Sequence, residues 1–316
     1  MDFRALLMGL AFVFMWSSAF TSARMIVADA PPLAALSLRF FLAGIIGVGV
    51  ARAAGQSWRL SAGQWRSVAV FGFCQNALYL GLNFVAMQRI EAGLASIVAS
   101  SMPLLVALLG WLFRGQKLPA LGIAGLVAGF AGVALIMGSR LSGAGADPAS
   151  LALCVIGATA LAVATLTVGG TGATGNVLMI VGLQMFVGSF VLGIASALTE
   201  TLAVHWTPRL IAAFLYTTFV PGLLATWVWF RLVARIGPVR AATFHFLNPF
   251  FGVSIGALLL GEALKLTDAV GVAIVMAGIL AVQMSRVGPA PQPPAPQPPA
   301  PQPPAPQPPA PQAGRV

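Results

Sequence analysis

The sequence predicts an all-α integral membrane protein of ten transmembrane helices, arranged as two inverted five-helix repeats. Three observations predict it. The 316 residues are 59% hydrophobic and only 8% charged, with a mean hydropathy of +0.93. A soluble domain carries about a quarter charged residues, so this chain could not cover a soluble surface. Apolar runs of about 20 residues, each long enough to cross a ~30 Å hydrocarbon core, recur ten times along the chain. Finally, the segment Arg89–Arg140 returns 146 positions later (235 − 89) as Arg235–Arg286.

In chain order the runs lie near 5–27, 33–53, 66–87, 92–113, 119–138, 149–169, 177–198, 209–230, 238–260 and 267–286. Pro31-Pro32, Pro119, Pro148, Pro208 and Pro238 mark helix starts, where a missing N–H costs nothing. The first run, with Arg4 before it and Thr21-Ser22-Ala23 within it, shares features with a secretory signal. It is longer than a usual signal core and holds Trp16-Ser17-Ser18, so it reads as a retained span. Trp58 and Trp65 beside Arg59 and Arg66 read as an interfacial anchor. With the N-terminus placed in the cytoplasm, eleven Lys and Arg fall on the inside, five on the outside, and Arg39 within a span. That bias predicts cytoplasmic termini, and a multi-pass protein of the bacterial inner membrane.

The repeat aligns without a gap on Pro103 and Pro249. Phe84/Phe230, Arg89/Arg235, Gly110/Gly256, Gly115/Gly261, Gly125/Gly271, Gly132/Gly278 and Ser139-Arg140/Ser285-Arg286 all match. Five spans separate equivalent points. An odd number turns the second copy upside down, and inverted repeats around a midplane site characterise transporters. The expected units are residues 1–140 and 141–287. Residues 288–316 form a proline-rich cytoplasmic tail that cannot build a core. A dispensable tail is the simplest reading of it, and docking to a proline-binding partner is the alternative.

Polar groups in hydrocarbon need a reason, and they cluster. On the third span Gln75, Tyr79 and Asn83 share one face with Asn76 beside it; on the fourth, Ser96, Ser100 and Pro103 do the same. His245, Asn248, Pro249 and Gly252 share a face of the ninth span, and Trp16, Ser17 and Thr21 form a patch on the first. On the eighth, Thr217, Thr218, Thr226 and Trp227 surround Pro221. The candidate substrate-binding set is therefore Trp16, Ser17, Asn76, Tyr79, Asn83, Ser96, Ser100, Trp227, His245 and Asn248. Pro103 and Pro249 would bend their helices at matched depth. For each Ser or Thr, bonding to its own backbone or to a neighbouring helix is an alternative. His245 reads as a core histidine or a proton site. Arg39 reads as a snorkelling cation or a carboxylate site. The glycine stripe of Gly122, Gly125, Gly129 and Gly132, echoed by Gly271 and Gly278, suits close helix packing, with a weak homodimer contact as the minority reading against a monomer.

The absences restrict function further. The net charge of +10 forms no basic stripe, which excludes nucleic acid as a partner. Cys74 and Cys154 have neither disulfide nor metal spacing. No Walker loop, HExxH, CxxC or nucleophile–base pair occurs, so no cofactor, metal or enzymatic activity is expected. The acidic residues Glu91, Glu200, Glu262 and Asp268 stand at span ends.

At these residues the chain resembles the drug/metabolite transporter superfamily and, within it, the EamA-type ten-helix exporters. The resemblance covers about residues 5–287. It rests on Phe14-Met15-Trp16-Ser17-Ser18-Ala19-Phe20, Leu38-Arg39-Phe40, Ala77–Leu82 leading into Ala92–Ser96, Pro103, Phe246-Leu247-Asn248-Pro249 and Leu259-Leu260-Gly261-Glu262. It implies a basket of helices around a cavity lined chiefly by spans 1, 3, 4, 6, 8 and 9, and export of small metabolites, often amino acids. One departure is that Glu262 has Gln116 as its mate in the first copy. The expected function is export of small amphipathic metabolites, foremost neutral or aromatic amino acids, by alternating access. The lack of a buried carboxylate favours facilitated diffusion or exchange. Proton-coupled drug or metabolite efflux is the alternative, and a membrane-embedded enzyme or a scaffold stands behind both.

Overall fold

A computed structural model describes residues 3–142, 147–168 and 176–286. The proline-rich tail lies outside the described residues. Ten helices are long and apolar enough to span a bilayer. They are α1 (Phe3–Asp29), α2 (Pro32–Ala53), α3 (Ala62–Ala86), α4 (Ala92–Arg114), α5 (Ala120–Leu141), α6 (Pro148–Thr167), α7 (Val177–Thr199), α8 (Pro208–Ile236), α9 (Arg240–Leu260) and α10 (Leu266–Ser285).

Local sequence sets many of the ends. Ser61 and Gln64 close a reciprocal capping box on α3, which starts that helix earlier than its apolar run does. Thr207 Oγ1 accepts from Leu210 N at the start of α8, with Pro208 in the first turn. Asp147 caps α6 through Ser150 N and Oγ, and those hydrogen bonds hold its carboxyl below the usual range. The repeat-matched Gly115 and Gly261 stop α4 and α9 in the left-handed region, at φ 60° and 68°, where a side chain would be strained.

Two long pairs flank the molecule, α5 with α10 and α2 with α7. The α5–α10 seam is too close for side chains. A Cβ on Gly278 would lie 2.5 Å from Gly129 N, and one on Gly125 2.7 Å from Gly278 O. A Cβ on Gly47 would similarly meet Gly182 Cα at 3.1 Å. Between the flanks α1 packs on α8 and α9, α6 packs on α3 and α4, and α4 meets α9. Shifting residue numbers by 146 turns the α1 contacts into the α6 contacts and maps the other three pairs onto themselves. The contact pattern is thus unchanged by the shift.

Four helices are irregular at matched points. In α3 the stretch Gly72–Leu80 is π-helical, and in α8 Thr218–Leu224 is too; the two start 146 residues apart (218 − 72). The α4 helix breaks between Ala92–Ser100 and Met102–Arg114, while α9 passes through a tight turn at Phe244–Leu247 before Asn248–Leu260. Pro103 and Pro249 stand in the first turn after each break, the position where proline removes no intrahelical hydrogen bond.

Candidate functional site

A small cavity of about 50 Å³ lies between α1, α2, α3 and α8. From α1 come Trp16, Ala19, Phe20 and Ala23; α2 gives Arg39; α3 gives Tyr79, Leu80, Asn83, Phe84 and Met87; and α8 gives Thr217 and Pro221. Tyr79 and Leu80 belong to the π-helical stretch of α3 and Pro221 to that of α8. A π-turn widens the helix and shifts its phase, which redirects side chains. The lining positions sit in the halves of these helices nearer the α1–α2 and α3–α4 loops, so the cavity reaches from mid-depth toward the face opposite the N-terminus.

Its walls are mainly apolar and aromatic, and few of its polar atoms are engaged. Asn83 Nδ2 donates to Tyr79 O at 2.7 Å, while Asn83 Oδ1 and Arg39 Nε are buried without a partner. Thr217 Oγ1 returns its proton to Ala213 O at 2.6 Å. Arg39 holds its guanidinium 5.3 Å from the centre of the Phe40 ring.

On the N-terminal side of Trp16 the path is filled. His245 stacks among Phe12, Trp16 and Trp229, with ring centres 5.3, 6.4 and 5.3 Å away. Phe12, Val13, Ala225, Leu232, Ala241 and Phe244 continue this packing as a buried cluster. With its amide donating, Asn248 Nδ2 bonds His245 Nδ1 at 3.0 Å.

Of the residues singled out in the sequence, the cavity gathers Trp16, Arg39, Tyr79, Asn83, Thr217 and Pro221. The others lie elsewhere. Ser17 donates toward Asn248 O and Oδ1, both at 3.4 Å, and Ser96 donates toward the same carbonyl at 3.5 Å. These bonds knit α1, α4 and α9, and a Cβ on Gly252 would overlap the Ser96 side chain. Ser100 bonds Ser96 O within its own helix. Asn76 donates to Gln184 O on α7 at 3.0 Å.

Trp227 requires a correction. It is 56% exposed on the outside of α8, with the Arg231 guanidinium 5.1 Å from its ring. Trp227 thus stands on a face of α8 apart from Thr217 and Pro221, which line the cavity. The lining also departs from the expected set of helices. α2 contributes Arg39, while α4, α6 and α9 contribute nothing. The serine–asparagine knot closes the α4–α9 seam. Thr159, Thr165 and Thr167 of α6 each bond their own helix backbone.

Ties that sequence patterning does not reveal cross the face opposite the N-terminus. Glu262 accepts from Ala92 N and Gly93 N, at 2.6 and 2.9 Å, and so caps α4. Glu200 caps α2 through Leu33 N and Ala34 N, at 2.9 and 3.0 Å. Arg140 reaches Asp268 at 2.5 Å and Glu91 at 2.8 Å. Burial pushes the Glu91 carboxyl up, against the pull of Arg140. Thr207 bonds the Asp29 carboxylate at 2.9 Å. Carboxylates at span ends are visible in the sequence, but apart from the Glu91–Arg140 pair their partners lie more than a hundred residues away.

Comparison with known proteins agrees with this architecture. The EamA-like transporter family matches twice, over residues 3–138 and 149–284, segments that start 146 apart (149 − 3). Protein PecM of Dickeya dadantii is 30% identical, over 84% of this chain and 86% of its own. The uncharacterized transporter YvbV of Bacillus subtilis is 27% identical, over 85% and 88%. The uncharacterized inner membrane transporter YedA of Escherichia coli K12 is 27% identical, over 87% and 89%. A solved crystal structure shares the fold with a TM-score of 0.66 at 19% identity, covering 89% of this chain and 96% of its own. With ten apolar spans, a doubled family match and full-length relatives, the chain belongs to the EamA-like transporter family, within the drug/metabolite transporter superfamily.

Proposed function

We propose that this protein is a secondary transporter of the bacterial inner membrane that exports small amphipathic metabolites, foremost neutral and aromatic amino acids, by facilitated diffusion or exchange. The cavity between α1, α2, α3 and α8 carries this reading. It pairs the rings of Trp16, Phe20, Tyr79 and Phe84 with the polar ends of Arg39 and Asn83, which suits a ligand with an apolar body and a polar head.

The two five-helix units, related by inversion, would alternate access to this cavity. Opening toward the N-terminal face means parting the Phe12–Trp16–Trp229–His245 rings. Opening toward the other face means releasing ties that each join the first unit to the second: Glu262 to α4, Glu200 to α2, Arg140 to Asp268 and Asp29 to Thr207. No carboxylate lines the cavity, which supports uncoupled flux or exchange over proton coupling.

Reconstitution into proteoliposomes tests this. Labelled phenylalanine should move down its gradient and exchange with unlabelled phenylalanine without a pH gradient. Tyr79→Ala, which opens the cavity wall, and His245→Ala, which unpacks the rings beneath it, should each lose most of that flux while still inserting. Strict dependence on a pH gradient would establish proton coupling instead.

A further inference from the structure

We propose that Arg39 and Asn83 form a zwitterion-recognition pair, Arg39 taking the carboxylate of an amino-acid ligand and Asn83 accepting from its ammonium group. This deepens the amino-acid reading above and rests on it. Arg39 is 8% exposed and Asn83 1%, and both line the same cavity. Arg39 Nε is a buried donor without an acceptor, and Asn83 Oδ1 is a buried acceptor without a donor. Among the described residues no carboxylate lies within ion-pair distance of Arg39, since all three ion pairs involve Arg89 or Arg140. The Phe40 ring is the one partner its guanidinium has there.

An unpaired cation and an unsatisfied amide oxygen inside a membrane protein are both costly. The residues that carry one unpaired guanidinium donor and one unpaired amide oxygen thus line a single cavity, the complement of a carboxylate beside an ammonium. Trp16, Phe20, Phe84 and Met87 supply the apolar surface for the ligand's side chain.

The second unit does not repeat the pair. The positions 146 further on are Met185 (39 + 146) and Trp229 (83 + 146). The polar head of the ligand is therefore held by the first unit alone, and a ligand lacking either charge forfeits one of the two contacts.

Equilibrium binding to the purified full chain, read through tryptophan fluorescence because Trp16 lines the cavity, tests the assignment. The probes are L-phenylalanine, 2-phenylethylamine and 3-phenylpropionate. Wild type should bind phenylalanine roughly tenfold or more tightly than either analogue. Arg39→Met should lower phenylalanine binding to the level of phenylethylamine and leave the amine unchanged, while Arg39→Lys should retain part of the preference. Asn83→Leu should erase the preference for phenylalanine over phenylpropionate. Equal wild-type affinity for phenylalanine and phenylethylamine would overturn the pair and leave the transport reading standing, as would an unaltered preference in Arg39→Met. Binding of none of the three by wild type would overturn the pair and the amino-acid reading together. Should Arg39→Met fail to fold, the wild-type comparison decides alone.

Discussion

Asn248 shows what a single amide does inside this bundle. Its carbonyls receive Ser17 and Ser96, and its Nδ2 reaches His245, so one side chain and its backbone tie α1, α4 and the tight turn of α9. Asn248→Ala removes the Oδ1 and Nδ2 contacts and leaves His245 Nδ1 without its donor. It should destabilise the protein by about 1–2 kcal/mol, read as a lowered melting temperature in detergent; unchanged melting would mean that these long bonds contribute nothing. Residue-level reasoning from sequence identifies the costly groups, because an amide in hydrocarbon is conspicuous wherever it stands. It cannot separate an amide bonded to a neighbouring helix, such as Asn76 on Gln184 O, from one facing a cavity, such as Asn83. That choice depends on which helix packs opposite, and the partners of Asn76 and Asn248 lie up to 231 residues away.

The helices divide into rigid and irregular sets. The straight pair α5–α10 is held by backbone contact along its glycines, where dispersion replaces the hydrophobic effect that lipid cannot supply. Gly278→Leu would drive a side chain into the backbone of Gly125 and Gly129. It should cost about 3 kcal/mol or more and be seen as lost monodispersity on size-exclusion chromatography, whereas wild-type behaviour would show that the seam is looser than described. This stripe was legible, because small residues at helical spacing have few other uses in a membrane span. The π-helical stretches of α3 and α8 were not. Pro221 gives a local reason in α8, but its counterpart 146 positions earlier is Gln75, which gives none. The irregularity in α3 belongs to its packing against α6 and α7, and periodicity cannot reveal it.

At the scale of the molecule, the doubled architecture was legible from composition and the offset of 146. The chemical asymmetry laid over it was not. Three ion pairs lie at the face opposite the N-terminus, and the rings of Phe12, Trp16, Trp229 and His245 pack together on the other side. Arg140→Ala would leave Asp268, only 1% exposed, without its counter-ion. It should cost about 3 kcal/mol and raise the rate at which an impermeant maleimide labels a cysteine placed at Met87, on the cavity wall below these ties. Unchanged labelling would show that Arg140 does not hold this face shut. Under the proposed alternating access the two copies would rock, and the residues that differ between them tie one face and make one side of the cavity polar.

The central claim is that the cavity between α1, α2, α3 and α8 is the place a transported molecule occupies. Ala19→Phe tests it most directly, because Ala19 lines that cavity and a ring there fills it while Arg39, the capping glutamates and the glycine seam all keep their side chains. Counterflow of labelled phenylalanine in proteoliposomes should fall to the level of empty vesicles for a variant that melts like wild type. Wild-type counterflow through the filled cavity would place the substrate path elsewhere in the bundle.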